Sequence, residues 1–258
     1  MAMFSRVHLL LAVILLLAKP ALRADDTQAP YNDLVMGVIS SMPSGGGYSA
    51  GSTATHALQY AVSIRDGLLE VKTAHATPSY CSGATYLVFL KVISILQSQE
   101  RLPLTPGIMT ALKPSGQPDG SGIWGRWNAN GPGTARLFYE LGLGRNFTNL
   151  PEAQPGDFLK IFWTDQIGAA EHGHSVIYLG TEYKERLPYL SYWSSNIPGG
   201  FGVKSVPLSR IHRMLFSRLE HPENLVRATS LPHSDHYLAS LQTHSSTPAE
   251  MALQCGAR

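Results

Sequence analysis

Apolar residues recur at helical spacing in "THALQYAVSIRDGLLEV" (55–71), which predicts a helix there. The turn signal "TPS" (77–79) follows. Next comes "CSGATYLVFLKVISILQSQ" (81–99), apolar at 84, 87, 88, 92, 95 and 96 and again at 89, 90 and 93. Apolar residues on nearly every side predict a helix buried on most faces. A shorter helix, "TARLFYELGLG" (134–144), ends on glycine. The period then changes. "DFLKIFW" (157–163), "HSVIYLG" (174–180), "YLSYWSSN" (189–196) and "GFGVKSVPL" (200–208) are short, β-branched or aromatic, and separated by turn residues. They are expected to be successive antiparallel strands. Helices first and strands afterwards is the α+β pattern.

Between these elements lie three stretches of different character. Residues 25–50 are loop-rich and end in the flexible "SMPSGGGYSAGS". Residues 101–135 form a long Gly- and Pro-rich excursion in which Trp124 and Trp127 are expected to be packing residues. From 229 to 258 the chain is polar without clear period, which predicts a mobile tail.

The N-terminus adds a compartment. Arg6 precedes the ten-residue apolar run "LLLAVILLLA" (9–18), and "KPALRA" ends in a small residue at Ala24. This predicts a signal peptide over 1–24 and a periplasmic or secreted protein. The apolar run is too short for a stable membrane span, and no stable span is expected once the signal is cleaved. Removing Arg6, Lys19 and Arg23 leaves 17 basic against 18 acidic residues, a net charge of −1, and so no electrostatic footprint for nucleic acid. The remaining 234 of the 258 residues suffice for one domain, expected over 25–228 with the excursion as an insertion. Two cysteines, Cys81 and Cys255, make no disulfide framework, although an exported chain permits a bridge between them.

Cys81 opens the buried helix, where about half a positive charge favours thiolate over thiol. Ser82 and Gly83 are small enough to let a substrate approach, and the Cys81 N–H is a natural oxyanion donor. A cysteine nucleophile needs a base, and His174 stands at the start of a later strand after Gly173. Tyr192, Ser194 and Asn196 follow at period two on the next strand, so that any one of them can orient the imidazole. Plain burial is the competing reading of a lone cysteine. "HGH" (172–174) lacks the companion spacing of a zinc site, so neither metal nor cofactor is expected.

In that order, "YCSGATYLVFLKVI", "QPGDFLKIFW" and "GHSVIYLG" resemble three blocks of the NlpC-type cell-wall peptidases, papain-like cysteine peptidases. The family pattern is D-C-S-G opening a helix, then L-x-P-G-D-L-V-F-F, then H-V-G-I-Y-L-G. The resemblance spans roughly residues 55–208. It implies a papain-like fold and cleavage of peptide or isopeptide bonds in peptidoglycan stem peptides, with Cys81 as nucleophile and His174 as general base. Tyr80 replaces the family's Asp, and Ser175 stands where Val or Ala is usual. The third polar residue is unmatched by motif; Asn196 is favoured for its amide carbonyl over Ser194 and Tyr192. Two alternatives stay open: a catalytically decayed binding module, and a Cys–His amidase or acyltransferase acting on lipids or small amides.

Overall fold

The computed structural model describes residues 31–258; the expected signal segment lies outside them. Tyr31 leads into a first helix, α1 (Asn32–Ser40), in the stretch expected to be loop. Val35 and Val38 are buried, and this one-sided apolar spacing is what turns the stretch helical. A two-residue strand, β1 (Gly45–Gly46), follows, then α2 (Ser52–Tyr60). The helix expected over 55–71 stops at residue 60. The rest is a hairpin of β2 (Val62–Arg65) and β3 (Leu68–Val71). Asp66 and Gly67 both adopt positive φ (51° and 76°), the two-residue turn that Asp-Gly favours, and it overrides the helical spacing.

The long apolar helix is α3 (Cys81–Ser98). Within the 101–135 excursion the chain forms α4 (Pro106–Leu112) and α5 (Gly122–Asn128), and α6 (Gly133–Leu141) follows. Trp124 and Trp127 are buried, as expected for packing residues. With Tyr86 and Phe89 of α3, Phe138 of α6 and Phe158 they form one aromatic cluster, ring centroids 5.0–6.4 Å apart.

The remaining strands are β4 (Gly144–Phe147), β5 (Phe158–Phe162), β6 (Gly173–Lys184), β7 (Leu187–Asn196), β8 (Gly200–Pro207) and β9 (Arg213–Leu219). They join β1 in a seven-stranded sheet of order β1-β8-β7-β6-β5-β9-β4, every pairing antiparallel. Helix α3 packs across β6 and β7, and α6 across β4 and β9. The protein is therefore α+β, with helices laid on an antiparallel sheet. The four expected strands are present; β1, β4 and β9 are additional in this sheet.

The stretch expected to run as a tail is folded. It contains α7 (His236–Ser240) and α8 (Pro248–Cys255), capped by Asp235 and Thr247 side chains that accept the N–H of Leu238 and Glu250. Leu238, Leu241, Met251 and Cys255 are buried. Four apolar anchors in thirty mostly polar residues, split between two short helices, are too sparse for a clear period, yet they suffice to dock the segment.

Candidate active site

Cys81 is the first residue of α3, and both cysteines are free thiols. Cys255 lies inside an apolar cluster with Phe162, Ile167, Leu215 and Met251, where burial pushes its thiol up to about 12. No bridge joins the two. Cys81 instead sits partly exposed in the floor of a cleft of about 340 Å³.

Helix α3 has no side-chain cap. The N–H groups of its first turn therefore lack intrahelical and side-chain acceptors and point toward the cleft end of the helix. Burial alone would raise the Cys81 thiol, but it is overcome by a hydrogen bond from His174, by that residue's charge, by the Ser175 backbone N–H and by Lys160. The net result is a thiol lowered to about 7. Tyr48 also reaches the sulfur. Burial, then the charge of Cys81 and a hydrogen bond with it, push the Tyr48 phenol up to about 12, so it stays protonated as a donor.

Sequence reasoning missed Tyr48 because it lies in the stretch taken for a flexible loop. Of the glycines before it, Gly46 serves close packing. Gly46 has φ 84°, and a Cβ there would lie 2.3 Å from Thr77 Cγ2. Tyr48 pairs with Ser79 through Ser49 N–H to Ser79 O and Ser79 N–H to Gly47 O, which brings its ring beside Cys81.

His174 lies near the start of β6, and its Nε2 is 3.1 Å from Asn196 Oδ1. The tautomer follows from the amide. Asn196 Nδ2 donates to Ser194 O (3.1 Å) and Gly202 O (2.8 Å), so Oδ1 faces the ring and Nε2 must carry the proton. Nδ1 is left as the basic nitrogen for the thiol. Of the three candidates on β7, Asn196 is the one that holds the imidazole. Ser194 Oγ donates to Ser175 O, and Tyr192 stacks edge-on against the His174 ring at 5.5 Å.

A β-bulge sets this pairing. From Lys184↔Leu187 to Gly180↔Ser191 the partners' numbers sum to 371. Past the bulge at Leu179 they sum to 370, as in Ile177↔Trp193. Extended to position 174, that register faces residue 196; without the bulge it would face Ile197. His172, the other member of "HGH", is exposed, and its carbonyl accepts the Trp163 N–H. Among the described residues no three His, Cys, Asp or Glu side chains converge to hold a metal ion.

Asp157, from the "PGD" block, is structural. It is fully buried and forms a two-pronged pair with Arg218 of β9: Nε to Oδ1 at 2.8 Å and Nη2 to Oδ2 at 2.7 Å. Asn32 Nδ2 and the Gln154 N–H satisfy its remaining lone pairs. Tyr80, the residue before Cys81, packs against Trp124 under the helix start.

The other walls of the cleft are polar: Thr55, Ser82, Asn128 and Asn130, with Asp119, Lys160 and Glu171. No family model, curated protein or solved structure matches this chain.

Proposed function

We propose that the protein is an exported, papain-like cysteine hydrolase that cleaves amide bonds, peptide or isopeptide, in peptidoglycan stem peptides. The observation that carries the chemistry is the chain of contacts from Cys81 through His174 to Asn196, with the imidazole tautomer fixed by the Asn196 amide. The cell-wall substrate rests on the resemblance of the three sequence blocks and on the export signal. The polar lining favours an amide over an acyl lipid.

In this reading the thiol passes its proton to His174 Nδ1, and the sulfur adds to the substrate carbonyl. The Cys81 N–H and the Tyr48 phenol receive the developing oxyanion. His174 then returns the proton to the leaving amine, and a thioester remains on Cys81. Water, deprotonated by the same imidazole, hydrolyses that thioester and restores the thiol. Asn196 keeps Nε2–H oriented throughout.

The mature protein incubated with purified cell-wall fragments should release new amino termini, and Cys81→Ala should release none. Equal release by the variant would remove Cys81 from the reaction. A decayed binding module would retain the fragments without cutting them.

A further inference from the structure

Three ionisable side chains other than the reacting groups line the cleft: Asp119, Lys160 and Glu171. Lys160 and Glu171 balance one another in net charge, while the Lys160 amine still acts on Cys81 and Asp119. Their amine and Oε1 form an ion pair, Glu171 Oε2 accepts the Gly168 N–H, and the Glu171 side chain is 3% exposed. Asp119 differs. Its Oδ2 accepts the Asn130 N–H at 3.1 Å; burial raises its affinity for a proton, and the Asn130 and Gln242 donors and the more distant Lys160 charge act the other way. Among the described residues no Lys, Arg or His comes within ion-pair distance of it. A thiolate on Cys81 facing a protonated His174 is neutral overall, as is the uncharged couple. The cleft thus carries the net charge of Asp119 in either state.

We propose that Asp119 is a receptor for a cationic group of the substrate, an ammonium or guanidinium, held in the cleft beside Cys81. The proposal rests on the assignment of Cys81 as nucleophile and narrows its substrate class to amides that bear a positive charge. The carboxylate is half-buried, and burial raises its affinity for a proton; a bound cation would relieve the same desolvation. It is also held in place. The neighbouring Gly120 O accepts the Asp235 N–H at 2.8 Å and the Gly122 N–H donates to His233 O, so the C-terminal segment fixes the loop from behind. Such a fixed group binds without reorganising.

Methanethiosulfonates test this without a known substrate. The Cys81 sulfur attacks the reagent's sulfenyl sulfur, a disulfide forms and methanesulfinate leaves. Rates at Cys81 are followed by peptide mass spectrometry for aminoalkyl reagents of increasing chain length, for sulfonatoalkyl reagents and for the neutral methyl reagent. Each is divided by the rate of free cysteine. The normalised ratio of cationic to anionic rates should exceed about tenfold at the best chain length, as expected for a focused charge in a cleft. In Asp119→Asn, which keeps the acceptor oxygen for Asn130, that ratio should fall at least about fivefold, whereas Asp119→Glu should retain it. The neutral rate should stay within about twofold in both variants, which shows that the site is intact. A wild-type ratio near one at every chain length overturns the proposal, as does a ratio unchanged in Asp119→Asn. Should Asp119→Asn fail to fold, the wild-type ratio alone decides. A neutral reagent that labels Cys81 no faster than free cysteine at pH 7 would instead defeat the nucleophile assignment, while the ratio would still report the charge of the cleft.

Discussion

The sulfur of Cys81 lies among donors and cations from four places in the chain: His174, the Ser175 N–H, Lys160 and the Tyr48 phenol. The first three outweigh burial, so thiolate is already present near neutrality. Alkylation of Cys81 by iodoacetamide should therefore rise as pH increases through about 7 and level off above it. An ordinary thiol would keep accelerating to about pH 9. A midpoint above 8.5 would show that the His174 contact does not hold in solution. The neighbouring histidines should behave differently. His174 touches both Cys81 and Asn196, whereas His172 is exposed and takes part only through its backbone carbonyl. His174→Ala should lower turnover of cell-wall fragments by at least about a hundredfold, and His172→Ala by less than about tenfold. The reverse order would move the base to position 172. Cys81 and His174 were legible in the sequence as the proposed nucleophile and base because both sit at element starts beside small residues. Tyr48 was not, since the backbone bridge to Ser79 and the close approach of Gly46 to Thr77 carry it to the sulfur.

Among the elements, short β-branched or aromatic runs between turn residues made β5, β6, β7 and β8 readable, but their register was hidden. The turn between β6 and β7 is Glu185-Arg186, with φ of 50° and 67°, residues that carry no hairpin signal of the Asn-Gly kind. The bulge at Leu179 then shifts the pairing by one residue. Neither feature can be read from hydropathy, so Asn196 was favoured over Tyr192 and Ser194 only for its amide carbonyl until the strands were paired. Strand β9 was missed for a related reason. Its Arg218 reads as a surface charge, yet it is buried against Asp157 and ties β9 to the turn before β5 and, through Asn32, to α1. Arg218→Met would leave Asp157 buried with its main counter-charge gone, which costs about 3–5 kcal/mol. Urea unfolding should show that loss as a lower midpoint with an unchanged slope. A loss under about 1 kcal/mol would mean that water reaches Asp157 and that the pair behaves as a surface one.

On the scale of the whole molecule, the C-terminal segment completes the fold rather than trailing from it. It closes over two loops that contribute to the cleft. Ser234 bridges to Ser121, and Asp235 N–H donates to Gly120 O, beside Asp119. Ser245 bridges to Gly168, and Ala169 N–H donates to His244 O, beside Glu171. Asp235 also pairs with Arg136 of α6 at 2.8 Å. Composition hid all this, because the anchors are few and most of their partners are backbone groups, which leave no trace in hydropathy. Stopping the chain after Ser230 tests the point. Truncation removes the burial of Leu238, Leu241 and Met251, each worth about 1.5–3 kcal/mol. It also strips the cover from Ile167 and Phe162 and the acceptor from Arg136. The combined loss of several kcal/mol is comparable with the whole stability of a typical domain, about 5–15 kcal/mol. The truncated chain should therefore lose its cooperative thermal transition or melt at least about 10 °C lower, with Cys81 alkylation falling to the rate of a free thiol as the cleft opens. A melting temperature within about 2 °C of the full chain, with Cys81 reactivity unchanged, would make the segment an appendage and leave the cleft wall to stand on its own loops.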